Sequence, residues 1–433
     1  MNHSRKRAEA FLKEYGIHVS CLDSDLLVEN FISEMEKGLT GEDSSLAMIP
    51  TFIDSDQMVP KNEPVIVIDA GGTNLRACSV VIDEKSNVVT ENFAKRRMPG
   101  IDGQLSAEQF YAELCDFILP LVNCSDRIGF CFSYPVEILP SRDGKLLQWT
   151  KEVDVPEVVG TLIGEGLLSA LAQRGHAGKQ VVILNDTVAT LLAGKTEGEK
   201  RKCSSYIGYI LGTGTNTAYV ELNSSITKRT DLPHDGHQII NTESGNFSKF
   251  ARGEIDLRFD STTNDPGCYA FEKMISGAYL GPLCLELLKT AVEDGILSSR
   301  LIDLAMTWDT LSTKDMDDFL GNPFLPDSPF ADPSIDQDDR EMLVHLFSGV
   351  VARAAMLSAV NISAAVLKSG QGRNCLNPVC INIDGSTFYK TNWFESRVEA
   401  YLRTQLLDAG VYYDLVFVEN APIIGAAIAG LTS

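Results

Sequence analysis

The stretch Val65-Ile-Val-Ile-Asp-Ala-Gly-Gly-Thr-Asn-Leu-Arg-Ala-Cys-Ser-Val-Val-Ile82 decides the fold of this chain. Apolar runs on both sides of a Gly-Gly pair predict a strand, a tight turn and a second strand. Gly71 and Gly72 have no Cβ, so this turn can adopt positive φ and bring backbone amides close to an anion. Asp69 would repel that anion unless a metal ion lay between them. The combination therefore favours a metal-bound nucleotide over free phosphate.

Three polar residues continue this motif. Thr73 and Asn74 add side-chain hydrogen-bond donors, and Arg76 carries a guanidinium fork that matches two phosphate oxygens. A plain β-hairpin with a Gly-Gly turn would produce the same short pattern. The motif alone therefore leaves a purely structural role open.

A second motif repeats the pattern in Tyr206-Ile-Gly-Tyr-Ile-Leu-Gly-Thr-Gly-Thr-Asn-Thr-Ala-Tyr-Val-Glu-Leu222. It lacks the third glycine of a dinucleotide fingerprint, and a strand pattern rather than a helix follows it. Thr213 and Gly214 lie in its turn. Two phosphate-type hairpins predict a two-lobed kinase in which each lobe presents one turn to a shared nucleotide.

Composition is consistent with this class. The chain has 433 residues, which favours two lobes over one core. A formal charge of −22 argues against nucleic acids and anionic membrane surfaces as partners. The ten cysteines form no C-x-x-C pair, and several lie in apolar strand-like runs, so we expect free thiols and a cytoplasmic location. We also expect no apolar run of membrane-spanning length.

Strand and helix patterns alternate from residue 64 to about residue 193, which indicates an α/β fold. Before this region, residues 24–37 have the apolar spacing of a helix that Gly38 would end. The later part is mostly helical, and the sequence predicts a surface loop, a long apolar helix and two closing strands at residues 317–339, 343–367, 379–383 and 415–418, respectively.

Polar residues follow several of the predicted strands. Asn185 and Asp186 come directly after the apolar strand Val181–Leu184, where open α/β sheets bind ligands. Asp186 could instead simply cap the next helix. Further hydroxyl, amide, carboxylate and ammonium groups occur in loops, a mixture that suits a sugar with many hydroxyls: Ser133, Thr150, Lys151, Asn241, Glu243 and Glu272.

Two other features favour ordinary structural roles. His234 and His237 have a metal-like spacing, but no further ligand is near in sequence, so a solvated loop is expected. Phe319, Phe324 and Phe330 are expected to anchor their loop.

These residues, in this order, resemble eukaryotic-type hexokinases of the sugar-kinase, heat-shock-chaperone and actin superfamily. The resemblance extends over nearly the whole chain. It includes Phe31–Leu39, Met48–Pro50, Asp69–Arg76, Phe132–Pro135, Trp149–Lys151, Asn185–Thr187, Gly212–Asn216, Asn241–Glu243, Asp265–Gly267 with Glu272, and Asp384–Ser386. It implies a two-lobed actin-like ATPase (ribonuclease H-like) fold, with central mixed sheets flanked by helices and an active-site cleft between the lobes. The implied small lobe is 64–186, rejoined by the C-terminal helix 422–433, and the large lobe is 1–63 and 187–421.

The resemblance also implies a role for each matching residue. Asp186 would be the general base for the sugar 6-hydroxyl, with Lys151 and Arg76 as further catalytic residues. The implied sugar ligands are Ser133, Thr150, Lys151, Asn185, Asp186, Asn216, Glu243 and Glu272. Asp69 would face Mg²⁺ through water. Gly71, Gly72, Thr73, Asn74, Arg76, Thr213 and Gly214 would hold the phosphates of ATP, and Gly385 and Ser386 would approach the adenosine.

The implied reaction transfers the ATP γ-phosphoryl group to a hexose, with glucose favoured, in a monomer or homodimer. The chain departs from the family pattern at Glu152, Val153 and Ser244 on the sugar side, and at Ala278 and Pro422–Ile424 on the nucleotide side. A catalytically weak sugar sensor of the same fold is the alternative from another class. A chaperone or actin-like ATPase is a third reading, and it does not explain Trp149–Lys151 together with Glu243 and Glu272.

Overall fold

A computed structural model of the protein describes residues 3–55, 57–149, 153–333 and 335–432. The α-helices are α1 His3–Glu14, α2 Ser24–Thr40, α3 Ala107–Ile118, α4 Ile163–Gln173, α5 Asp186–Arg201, α6 Glu254–Ser261, α7 Glu272–Ile275, α8 Leu280–Glu293, α9 Arg300–Thr307, α10 Thr313–Gly321, α11 Gln337–Lys368, α12 Ser386–Lys390, α13 Phe394–Leu402 and α14 Ala421–Leu431. The strands are β1 Ile49–Pro50, β2 Pro64–Gly71, β3 Asn74–Ile82, β4 Val88–Arg97, β5 Arg127–Phe132, β6 Val136–Ile138, β7 Gly144–Leu146, β8 Gln180–Leu184, β9 Ser205–Leu211, β10 Thr215–Leu222, β11 His237–Asn241, β12 Val379–Asp384 and β13 Tyr413–Val416.

The first sheet contains the first glycine hairpin. Its strand order is β4-β3-β2-β5-β8, with β2, β3 and β4 antiparallel and β5 and β8 parallel to β2. The hairpin joins β2 to β3 through the two-residue turn Gly72-Thr73, because Gly71 pairs with Asn74. Gly72 has a φ of 61°, as tight hairpin turns require.

The second sheet contains the second hairpin, in the order β1-β11-β10-β9-β12-β13. Here β9, β10 and β11 are antiparallel, and β12 and β13 run parallel to β9. Without the short edge strand β1, the order and strand directions repeat those of the first sheet one for one. Two mixed sheets with the same topology, each flanked by helices, form the predicted two-lobed actin-like fold.

Helices α5 and α14 lie between the two sheets. One apolar cluster combines Val67 and Cys131 of the first sheet with Ala218 of the second, and with side chains of α5 and α14. The backbones approach very closely there: a Cβ on Gly425 of α14 would lie 2.0 Å from the carbonyl oxygen of Ala189 in α5. Separate clusters form the outer core of each sheet.

The N-terminal helix prediction was correct in position but wrong at its end. Helix α2 is capped by the Asp23 carboxylate and continues past Gly38 to Gly41, which has a φ of 83°. Gly38 lies inside the helix, and a Cβ there would lie 2.5 Å from the Met48 side chain. This glycine allows close packing and does not end the helix.

The region predicted as a surface loop is also more ordered than expected. It contains the end of α10, and the rings of Phe319 and Phe330 are buried against each other, with centroids 4.4 Å apart. Phe347 of α11 completes this group. Phe324 remains exposed. The anchoring role therefore belongs to the first and third phenylalanines.

The sequence predicted no apolar run of membrane-spanning length, and helix α11 corrects this expectation. Among the described residues it is the one helix long and apolar enough to cross a membrane, and 89% of its apolar window is buried inside the protein. Arg353 lies within it, fully buried in an ion pair of 2.7 Å with Asp256 of α6. Helix α11 is therefore a core helix, and it packs in the apolar cluster of the second sheet.

Candidate active site

Asp69 lies at the centre of the first predicted site because of strand register. It is directly opposite Arg76 on β3 and opposite Cys131 on β5. Arg76 Nη1 donates to Asp69 Oδ2 over 3.3 Å, and the Cys131 thiol also bonds the carboxylate. The Arg76 side chain thus points back to Asp69 and is partly exposed.

The environment of Asp69 is unfavourable for its charge. Burial raises the pKa of this carboxyl to about 6; the Arg76 charge opposes the shift and the Asp186 and Asp384 charges add to it. Burial also raises the pKa of Asp384, with a further contribution from Asp186. The three carboxylates are therefore close enough to interact, although they come from the ends of β2 and β12 and the start of α5.

The first glycine turn is fixed from below by two hydrogen bonds. The Tyr134 hydroxyl donates to the Gly72 carbonyl oxygen over 2.6 Å, and the Met98 amide donates to the Thr73 carbonyl oxygen over 2.9 Å. Thr73 itself is exposed, and Gly71 and Asn74 are partly accessible. The outer side of the turn is therefore accessible to solvent.

The second glycine turn packs against the residues predicted to reach the adenosine. Thr387 Oγ1 and the Gly277 amide both donate to the Gly212 carbonyl oxygen, each over 2.8 Å. Gly385 has a φ of 127°, and a Cβ there would lie 2.1 Å from the Leu211 carbonyl oxygen. This contact places Gly385 and the exposed Ser386 beside the exposed Thr213.

The sequence left open whether Asp186 caps helix α5, and the structure shows that Asn185 is the cap. Asn185 is the N-cap of α5, and its Oδ1 accepts the Thr187 amide over 2.8 Å. Asp186 is the first helical residue, so its carboxylate is not required for capping and is only partly buried. The helix N-terminus favours negative charge at this position.

Glu243 lies within a network of amides. Its Oε1 accepts Asn241 Nδ2 over 2.7 Å and Asn216 Nδ2 over 3.2 Å, and Asn216 also bonds Asn241 Oδ1 over 2.8 Å. Burial raises the pKa of the Glu243 carboxyl; the Asn241 bond opposes this, and the Asp186 charge adds to it. Its backbone is left-handed, with a φ of 56°, which is uncommon outside glycine and typical of functional sites.

Glu272 and Ser244 complete this side. Glu272 Oε2 accepts the Thr215 amide over 2.8 Å, so the carboxylate lies at the start of β10 beside Gly214. Ser244 is buried, and its hydroxyl bonds Asn361 Nδ2 over 3.0 Å. Ser244, which departs from the family pattern, is therefore held in the interior by a residue of helix α11.

The structure brings most of the predicted residues into one region. Asp186 interacts electrostatically with Asp69 and Asp384 on one side and with Glu243 on the other. Ser133, partly accessible, follows β5 next to this region and bonds the Ala70 carbonyl oxygen. Thr150, Lys151 and Glu152 lie outside the described residues.

Sequence reasoning did not assign a role in the site to Tyr134, Cys131 or Asp384. Asp384 ends β12, directly before the predicted Gly385 and Ser386, whereas the position of Cys131 opposite Asp69 follows only from the observed pairing of β2 with β5. His234 and His237 form no metal site: within the described chain, no three His, Cys, Asp or Glu side chains are grouped to hold a metal ion.

The residues near Asp69 nevertheless fit Mg²⁺. They are hard oxygen donors, and the charges of Asp186 and Asp384 beside Asp69 give the region an excess of negative charge. Mg²⁺ commonly keeps several waters and binds one or two carboxylates together with substrate phosphates. A complete protein cage is therefore not required.

Comparison with known proteins agrees with this geometry. Residues 9–196 and residues 206–432 each match a family model described as hexokinase. Hexokinase-1 of Spinacia oleracea is 31% identical, over 87% of this chain and 80% of the relative. A hexokinase of Emericella nidulans is 30% identical, over 94% of this chain and 87% of the relative.

Solved structures extend the likeness. The hexokinase from Schistosoma mansoni complexed with glucose has a TM-score of 0.79 and 25% identity, with both chains covered completely. Another hexokinase crystal structure, at 22% identity and a TM-score of 0.82, shows the same fold. The fold and the site thus define a sugar kinase of the actin-like class. This chain belongs to the hexokinase family, whose members are phosphotransferases with an alcohol group as acceptor.

Proposed function

We propose that the protein is an ATP-dependent hexokinase that transfers the γ-phosphoryl group to the 6-hydroxyl of a hexose, with glucose as the preferred acceptor. The observation that carries this proposal is the position of Asp186. Its carboxylate is not used for capping, and it interacts both with the Asp69–Asp384 side and with the Glu243 network. A base between a phosphate site and a polyol site is suited to direct phosphoryl transfer.

Asp186 accepts the proton of the hydroxyl as its oxygen attacks the γ-phosphorus. Asn216, Glu243 and Glu272 bind the sugar from one side, with Asn185 through its amide nitrogen. Ser133, Thr150 and Lys151 bind it from the other. Water competes for the same phosphoryl group, so we propose that the site is completed only when the lobes close.

The two hairpin turns and Arg76 hold the nucleotide phosphates and stabilise the charge of the transferring group. Gly71 to Asn74 act from the first sheet and Thr213 and Gly214 from the second. Mg²⁺, when bound near Asp69, would neutralise part of the phosphate charge. We further propose lobes of 64–186 with the C-terminal helix, and of 1–63 with 187–421, in a cytoplasmic enzyme.

The test is ADP release measured by a coupled assay with glucose, mannose, fructose, glucosamine and N-acetylglucosamine. Glucose should give the highest kcat/KM. A folded protein that binds glucose but releases no ADP with any of these sugars would be a sugar sensor instead.

Asp186→Ala tests the base directly. The variant should fold and bind glucose, but general-base loss typically costs about 10²–10⁴-fold in turnover. Glucose binding by calorimetry and the thermal unfolding curve serve as controls for folding. Retention of more than about a tenth of the wild-type kcat would exclude Asp186 as the base.

A further inference from the structure

Tyr134 is buried beneath the first glycine turn. The residue is only 2% exposed, and its hydroxyl donates the 2.6 Å hydrogen bond to the Gly72 carbonyl oxygen. No role in the reaction follows from the groups described so far. The Tyr134 hydroxyl nevertheless donates a hydrogen bond to the first glycine turn, whose backbone amides are proposed to bind phosphate.

This hydrogen bond has a directional consequence. The Gly72 carbonyl and the Thr73 amide belong to one planar trans peptide, so they point in opposite directions. A carbonyl that is directed to Tyr134 therefore directs the Thr73 N–H away from the core. Thr73 is exposed, so this donor faces the side from which the nucleotide phosphates approach.

The ring of Tyr134 makes a second connection. It lies edge-on to Trp149, with centroids 5.0 Å apart, and against Phe132 at 4.8 Å. Trp149 is held by a 2.7 Å bond from its Nε1 to the Val155 carbonyl oxygen. Trp149 directly precedes Thr150, one of the proposed sugar ligands. The Tyr134 side chain therefore contacts both the first glycine turn and Trp149.

We propose that Tyr134 is a positioning residue for phosphoryl transfer, which orients the Thr73 amide toward the nucleotide through the Gly72 carbonyl. This inference rests on the proposed function of the site. It assigns Tyr134 no contact with substrate. The hydroxyl acts on the nucleotide side, whereas the ring supports Trp149.

Tyr134→Phe separates these two parts, because it removes the hydroxyl and keeps the ring. We expect kcat/KM for ATP to fall about 3- to 10-fold, the factor of one net hydrogen bond. The KM for glucose should stay within about twofold. Tyr111→Phe is the matched control in the same lobe, because its hydroxyl bonds the Leu162 carbonyl oxygen over 3.4 Å, away from the turn.

Two measurements do not depend on turnover. ADP binding by calorimetry should weaken in Tyr134→Phe and not in Tyr111→Phe. Amide hydrogen exchange in the peptide containing Gly72 and Thr73 should become faster in the first variant only. A protein without sugar kinase activity would contradict the proposed function, and these measurements would still test Tyr134.

The proposal is overturned if Tyr134→Phe loses stability yet keeps wild-type nucleotide affinity and kinetics, since the hydroxyl would then be merely structural. An equal loss of glucose and nucleotide affinity would also overturn it. If the variant does not fold, Trp149→Phe with intact Tyr134 should keep the wild-type ADP affinity and the wild-type exchange rate of the turn. Loss of both there would place the effect in the aromatic packing and contradict the proposal.

Discussion

Asp69 shows at the residue scale how function and stability oppose each other. The residue is 4% exposed, and its charge is disfavoured by burial and by two neighbouring carboxylates. Arg76 offsets only part of this. A cation bound with the nucleotide, as proposed, would offset more, so we expect the ligand-free protein to keep an unfavourable charge at Asp69.

Asp69→Asn should therefore stabilise the ligand-free protein. The folded-state pKa of about 6 lies above the usual 3.8, so above pH 6 the native state carries a charge penalty that the unfolded chain does not. The folded form binds the extra proton as pH falls from 6 toward 3.8, so the penalty disappears over that range. We expect a gain of roughly 1–3 kcal/mol in the free energy of unfolding at pH 7.5, which shrinks by pH 4.5.

Urea unfolding at the two pH values measures this gain. Asp126→Asn is the control, because Asp126 lies in the loop before β5 and its exposed carboxylate forms an ion pair with Lys179. Turnover should be lost in Asp69→Asn. Equal or lower stability than wild type at pH 7.5 would contradict the unfavourable charge.

Arg76 and Lys151 should differ in which substrate they affect. Arg76 contacts Asp69 on the nucleotide side, so Arg76→Ala should lower kcat or raise the KM for ATP. Lys151→Ala should raise the KM for glucose and also lower kcat. Steady-state kinetics with both substrates varied distinguishes them. Near-wild-type constants for Arg76→Ala would remove Arg76 from the site.

Site residues could be predicted from the sequence where a short local motif determines their positions. The Gly-Gly turn and Arg76 follow from one hairpin, since register alone places Arg76 opposite Asp69. Cys131 and Tyr134 were not assigned, because their contacts depend on the pairing of β2 with β5, which the sequence does not specify. Asp186 stayed ambiguous until the structure showed that Asn185 caps the helix.

At the scale of elements, glycine governs how helices meet their neighbours. Gly129 of β5 would place a Cβ 1.8 Å from the Ala426 carbonyl oxygen of α14. Gly38 of α2 permits a similar approach to Met48. Sequence reasoning read Gly38 as a helix end, because local rules cannot distinguish a capping glycine from one required by a distant packing contact.

Gly425→Ala tests this close packing. Alanine normally stabilises a helix interior by about 1 kcal/mol relative to glycine. Here its methyl group would lie 2.0 Å from the Ala189 carbonyl oxygen, so α14 must move from α5. We expect a net loss of about 1–3 kcal/mol, as in overpacked cores.

Thermal or urea unfolding measures that loss, and kcat should also fall because α5 begins with Asp186. A variant more stable than wild type would show that α14 does not depend on this contact.

At the scale of the whole molecule, the two sheets have the same strand order, but the sequence showed only the two hairpins as a repeat. The parallel strands β5 and β8 correspond in topology to β12 and β13. Their side chains serve different neighbours, so the correspondence is not visible in residue identity. The α/β class was predictable from alternating patterns, whereas the duplication depends on long-range pairing.

This arrangement predicts that glucose makes the protein more compact. The proposed sugar ligands Asn216, Glu243 and Glu272 belong to the second sheet and its neighbouring segments, whereas Ser133 directly follows β5 of the first sheet. A sugar that contacts both sides binds the closed form more tightly, and this differential affinity shifts the population toward closure. Small-angle scattering should show a smaller radius of gyration at saturating glucose.

Glu243→Ala provides the matched control, since it removes a ligand on one side only and should reduce the compaction at equal sugar occupancy. The change should follow the glucose binding curve obtained by calorimetry, because closure and binding are one linked equilibrium. A radius of gyration that stays constant while calorimetry shows full occupancy would mean that the sugar binds one lobe alone. In that case the exclusion of water from the phosphoryl group would require the nucleotide, and not the sugar, to drive closure.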